Sequence, residues 1–91
     1  MNLEITLWPK DLLDISSFES GTKIATYIDE KGYGIFVLRN RYSKIIPEFI
    51  WLPKKGVSCH LDCKINLSHL DNETFKTYIE SQFNILLKTE V

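Results

Sequence analysis

Cysteine, proline and glycine are scarce in this 91-residue chain, with two, three and four copies, and each scarcity closes off a class of protein. Two cysteines cannot staple a disulfide scaffold. So few prolines and glycines exclude collagen-like and low-complexity chains, and the composition is that of a self-folding globule. No apolar run approaches the roughly 20 residues that span a bilayer. The opening Met-Asn-Leu-Glu lacks the basic segment and apolar stretch of a secretory leader, so the chain is expected to be cytoplasmic and to have no membrane partner. Neither charge sign dominates. Eleven Lys and Arg face twelve Asp and Glu, a net charge of -1, which is not the basic balance of a dedicated nucleic-acid domain.

What is present fits one domain over residues 1–91 with one modest core, too small for a cofactor-binding fold plus a substrate domain. Met1, Leu3, Ile5 and Leu7 alternate with polar residues, which predicts a first strand that stops at Trp8-Pro9. Leu12, Leu13, Ile15 and Phe18, set among Asp and Ser, predict a short irregular segment with a helical turn or two before Gly21. The runs 22–29 and 34–39 flank Glu30-Lys31-Gly32-Tyr33, a hairpin loop in which Gly32 is expected to supply a positive φ. Phe75, Tyr78, Ile79, Phe83 and Leu86 recur at helical spacing, with Asp71 placed to cap.

Residues 43–67 carry two strand-like runs that differ in the faces they hide. Val57, Cys59, Leu61, Cys63, Ile65 and Leu67 alternate with polar residues, as in a strand with one wet face. The run 43–52 is apolar on both sides. Ile45, Phe49 and Trp51 point one way and Ile46, Ile50 and Leu52 the other, while Pro47 withholds a backbone donor and suggests proximity to an edge. The fold class predicted is α+β, an antiparallel sheet of four to five strands with one C-terminal amphipathic helix packed on one face. A single helix covers one side, so the other is a candidate partner surface.

The residue types and their spacing argue against an enzyme. Cys59-His60-Leu61-Asp62-Cys63 has metal-capable residue types, but in a strand the thiols face one way and His60 and Asp62 the other, so no metal site is expected. The cysteines would lie about 13 Å apart on one strand, too far for a disulfide, and are read as reduced core residues. His60 is on the wrong strand face to serve Cys59 as a base, and His69 sits near a helix start, where an imidazolium is disfavoured. Gly32 and Gly34 form only a G-x-G with no following helix to receive a phosphate. No catalytic residue and no cofactor is expected.

Charge is unevenly spread, and residues 31–64 carry seven bases against two acids. Within that stretch Arg39, Arg41 and Lys44 surround Tyr42, a basic-aromatic loop suited to a partner surface or to gripping single-stranded RNA. The partner-binding residues expected are Phe49, Trp51 and Ile45 on the two-sided strand together with Tyr42, Arg39, Arg41 and Lys44.

Leu3-Glu4-Ile5-Thr6-Leu7-Trp8, followed by Lys10-Asp11 and later by a meander, resembles the opening strand of the immunity proteins that neutralise ribonuclease colicins. Those proteins are markedly acidic and this chain is nearly neutral, so the resemblance implies the broader class. That class is the small bacterial immunity proteins of secreted or contact-delivered toxins, which act by binding another protein. The function expected is therefore an immunity or inhibitor protein, bacterial or phage-borne, that neutralises a toxin or enzyme by direct binding. The alternatives are a small RNA-binding regulator, with nucleic acid the lesser expectation, or a non-catalytic homodimeric structural subunit.

Overall fold

Five antiparallel strands lie side by side in chain order, with tight turns at β2–β3 and β3–β4: β1 (Asn2–Ile5), β2 (Lys23–Asp29), β3 (Gly32–Arg41), β4 (Lys44–Pro53) and β5 (Cys59–Asp62). One helix, α1 (Asn72–Thr89), follows, and 3-10 turns occupy Pro9–Leu12, Ile15–Ser17 and Leu67–His69. The computed structural model describes residues 2–89. This is the α+β architecture the sequence predicts, and no described helix is long and apolar enough to cross a membrane.

Strand register sorts the side chains into two faces. Gly34 pairs with Trp51, Phe36 with Phe49 and Tyr27 with Gly34, and all of these look inward, toward the helix. Phe75, Ile79, Phe83 and Leu86 form the buried stripe of α1 and join Tyr27, Phe36, Phe49 and Trp51 in one core. Aromatic contacts knit it together. Phe36 and Phe49 stack across the strands at 3.8 Å, and Phe83 meets Phe49 edge-on and Tyr27 face-on, each at 5.3 Å. The 3-10 turns contribute Leu12, Ile15 and Leu67 to the same core, and Trp8 packs on Phe75. Along its shortest axis the Cα envelope spans 19 Å, the depth of one sheet and one helix.

The structure corrects several boundaries. The strand expected over 1–7 forms only over Asn2–Ile5, and Met1 lies outside the described residues. A bulge between Lys23 and Ala25 turns both Ile24 and Ala25 into the core, and Ile24 O accepts from Thr6 N and Leu7 N at 2.8 and 3.2 Å, ending the regular β1 ladder. Gly32 does not adopt positive φ. It is needed because a Cβ there would sit 2.5 Å from Leu52 O across the strand pair. The strand expected over 57–67 also shrinks, to Cys59–Asp62. Cys63 N donates to Pro47 O at 3.3 Å, so Pro47 turns its backbone toward β5 and has no N–H to return; pairing ends there.

Asp71 caps α1 as expected, its Oδ1 accepting from Thr74 N at 2.7 Å. That backbone bond, with a second from the Thr74 side chain, holds the carboxyl below the usual aspartate range. Both cysteines are free and look inward; Cys63 is buried and its Sγ accepts from the Tyr78 O–H at 3.5 Å.

Burial pushes the Tyr78 phenol well up, helped by its bond to Cys63, and burial followed by Asp29 and Glu80 raises Tyr27. Both folded values lie above the ordinary tyrosine value of about 10, so this contribution to stability is complete below that pH and is lost as pH rises through the folded values. The urea midpoint should therefore hold to about pH 9 and fall between about pH 10 and about pH 12, and Tyr78→Phe should flatten part of the fall. A midpoint unchanged over that range contradicts the assignment. Trp51, with 0% exposure, predicts a second result. Trp51→Ala should cost about 3–5 kcal/mol of folding free energy by denaturant titration, and a loss under 1 kcal/mol would place the ring outside the core.

Candidate docking face and hairpin tip

With α1 on the inner side, the opposite side chains of the sheet form an outer face over which no described element packs. Its rows follow from the register. Ile28 pairs with Tyr33 and Tyr33 with Leu52; Thr26 with Ile35, Ile35 with Ile50 and Ile50 with His60; Val37 with Glu48 and Glu48 with Asp62. None of Ile28, Ile35, Val37, Ile46, Ile50 or Leu52 belongs to the core cluster. The result is a largely aliphatic strip on the solvent side of the sheet, in which Val37 and Ile50 are buried among their neighbours while Ile28, Tyr33, Ile35, Ile46 and Leu52 stay at least partly exposed. Leu52, 41% exposed, and Ile28, 52% exposed, are its most accessible members.

The structure divides the expected partner-binding residues between opposite sides of the molecule. Phe49 and Trp51 are fully buried and Ile45 packs against the same core, so these three are removed from the partner surface: α1 and the turn at Ile15–Ser17 occupy that side of β4. Tyr42, Arg39, Arg41 and Lys44 are exposed and gathered at the β3–β4 tip. The open face of β4 is the one formed by Ile46, Ile50 and Leu52.

The tip is a two-residue turn. Arg41 pairs with Lys44, and between them Tyr42 and Ser43 both take left-handed backbone, with φ of 54° and 63°. A loop of this kind matches the twist of the flanking strands and is ordinarily filled by Asn-Gly or Gly-Gly. For residues bearing a Cβ this conformation costs about 1–2 kcal/mol each. Tyr42 is 96% exposed. Its ring recovers none of that cost by packing.

Glu48 is the feature of this face that sequence reasoning passed over. It is 1% exposed, although it lies on the side of the sheet that no helix covers. The shield is made by its own partners. The Arg41 guanidinium donates to Oε2, and His60 Nδ1 lies 3.1 Å from Oε1, with both partners about half exposed. A carboxylate at this depth requires such partners, because its desolvation otherwise costs several kcal/mol. The signal in the sequence was a lone acid inside an apolar run, since glutamate is almost never fully buried unless paired. Chemically, the carboxylate orients an imidazole and a guanidinium and is itself shut off from any substrate. Among the described residues no group of three or more His, Cys, Asp and Glu is gathered to hold a metal ion, and Cys59 and His60 face opposite sides of β5.

Comparison of the chain with protein-family models, with curated proteins and with solved structures finds no match.

Arg41→Ala should cost about 1–3 kcal/mol in denaturant titration, because it strips a charged partner from a buried carboxylate. Replacing the carboxylate itself by a similar volume, Glu48→Leu, should be close to neutral for stability. The reverse ranking would show that the Glu48 charge is not buried in the way described.

Proposed function

We propose that this chain is a non-catalytic protein-binding module, an immunity or inhibitor protein that neutralises a toxin or enzyme by direct binding. The observation that carries the reading is the second face of the sheet. One helix serves the inner side, while the outer side presents Ile28, Ile35, Ile46 and Leu52 with a fully exposed tyrosine at its end. Such a strip loses free energy in water at about 25 cal/mol per Å² and is stabilised by whatever covers it. Aliphatic centres with a polar rim are the common form of protein docking surfaces. Direct binding that blocks a partner's working surface needs no catalytic group of its own. It needs area, shape and one or two strong anchors.

A second reading has one specific observation in its favour. Tyr42 with Arg39 and Lys44 at the tip supplies a stacking ring and two cations, the elements of a single-strand RNA grip. Among its aliphatic residues the outer face carries a single tyrosine, Tyr33, not the series of rings on which successive bases stack, so the protein-binding reading accounts for more of the molecule.

Leu52→Asp is the test. A tagged wild-type chain expressed in its host should co-purify with a polypeptide in stoichiometric amount. The variant should lose that polypeptide, by about 2 kcal/mol or more of binding, while its thermal midpoint stays close to wild type, because the site is a solvent-side position. Retention of the same polypeptide by Leu52→Asp would sink the outer face as the docking surface. Recovery of RNA in its place would favour the second reading.

A further inference from the structure

The β3–β4 tip is built against the stability of its own fold. Asn-Gly or Gly-Gly would make the turn with little strain, yet Tyr42 and Ser43 occupy it with φ of 54° and 63°. Tyr42 gains no packing in exchange, being 96% exposed. Left-handed, non-glycine positions of this sort cluster at ligand clamps and recognition sites, where the side chain serves something outside the fold.

A second and independent observation concerns rigidity. Arg41, the last residue of β3, does not project with the tip. Its guanidinium folds back onto Glu48, whose other oxygen faces His60 on β5. The buried carboxylate thus ties the end of β3 through β4 to β5 and fixes the direction in which the tip leaves the sheet. Beyond this brace stand Tyr42 and the exposed Arg39 and Lys44. A turn backbone held in place before binding forfeits less freedom when it docks, and a tyrosine side chain then has only two torsions left to fix, which is how a single exposed ring becomes a strong anchor.

The chemistry of the tip defines its complement. A phenol ring fits an apolar slot, and two flanking cations call for carboxylates at the rim of that slot. Arg39 pairs directly with Ile46, so the tip borders the outer face, whose aliphatic residues resume beyond the Val37–Glu48–Asp62 row, a surface suited to a protein. We propose that the β3–β4 tip is a preorganised anchor whose Tyr42 enters an apolar slot with an acidic rim on a protein partner. The proposal rests on the protein-binding reading above and adds the chemistry of the partner.

Two measurements test it. The first needs no partner. The double variant Tyr42→Asn/Ser43→Gly relieves the turn, so its thermal midpoint should rise by about 4–8 °C. A lower midpoint would mean that the tyrosine serves the fold, and the anchor would be withdrawn. The second follows backbone amide and tyrosine ring signals by NMR during titration with three probes: a peptide of alternating Glu and Leu, its Lys-Leu counterpart, and oligo-uridine. The acidic peptide should shift Arg39, Tyr42 and Lys44 and bind about tenfold more tightly than either other probe, and Arg39→Glu/Lys44→Glu should invert its advantage over the Lys-Leu peptide. A preference for the Lys-Leu peptide overturns the acidic rim and leaves the protein-binding reading in place. Shifts confined to Ile35, Ile50 and Leu52 remove the tip but keep the face. Tightest binding of oligo-uridine overturns both readings.

Discussion

The packing of Phe83 into the hollow left by Gly34 decides which face of the sheet becomes core. A Cβ at Gly34 would lie 2.7 Å from the Phe83 ring, so the absence of a side chain at that position is what lets α1 settle onto β3. Phe83 then meets Tyr27 and Phe49, and through Phe49 the stacked Phe36. Once the helix is seated on that side, every residue of opposite parity on β3 and β4, and on β2 beyond its bulge at Ile24, is committed to the other face. A strand's period of two allows no compromise.

Much of this was legible in the sequence. The alternation around Leu3, the two-sided run from Ile45 to Leu52 and the helical spacing of Phe75, Ile79 and Phe83 define the α+β plan through periodicity alone. Choosing between the two faces of β4 was not possible from the pattern, because Ile45, Phe49 and Trp51 are no more apolar than Ile46, Ile50 and Leu52 by any margin that decides burial. Volume decides it. The large rings fill the space under a helix, and the aliphatic set is left outside. The bulge at Ile24 and the early end of β5 opposite Pro47 depend on hydrogen-bond partners distant in the chain, which a local reading does not see. The turn at Tyr42-Ser43 carries no glycine and therefore no conventional hairpin signal, so the sequence marks a basic-aromatic loop there but not a two-residue turn.

The outer face and the tip share one design. Glu48 is buried where no helix lies, and the cost of its burial is offset by Arg41 and His60, which it fixes in place. The same contact steadies the end of a hairpin whose two turn residues are strained. Stability is thus drawn from the aromatic core, while the opposite side of the sheet holds features that the core does not need: an aliphatic strip, a braced tip and an exposed tyrosine. That separation of labour between faces is the physical basis for reading the chain as a binding module.

The account stands on the outer face being open in the isolated chain. Side-chain methyl relaxation in the presence of a soluble paramagnetic agent measures this residue by residue. The methyls of Ile28, Ile35, Ile46 and Leu52 should be strongly broadened, while those of Ile24, Leu38, Ile79 and Leu86 should remain sharp. Equal protection of both sets would show that the outer face is already covered, by a second copy or by another part of the chain, and would contradict the account.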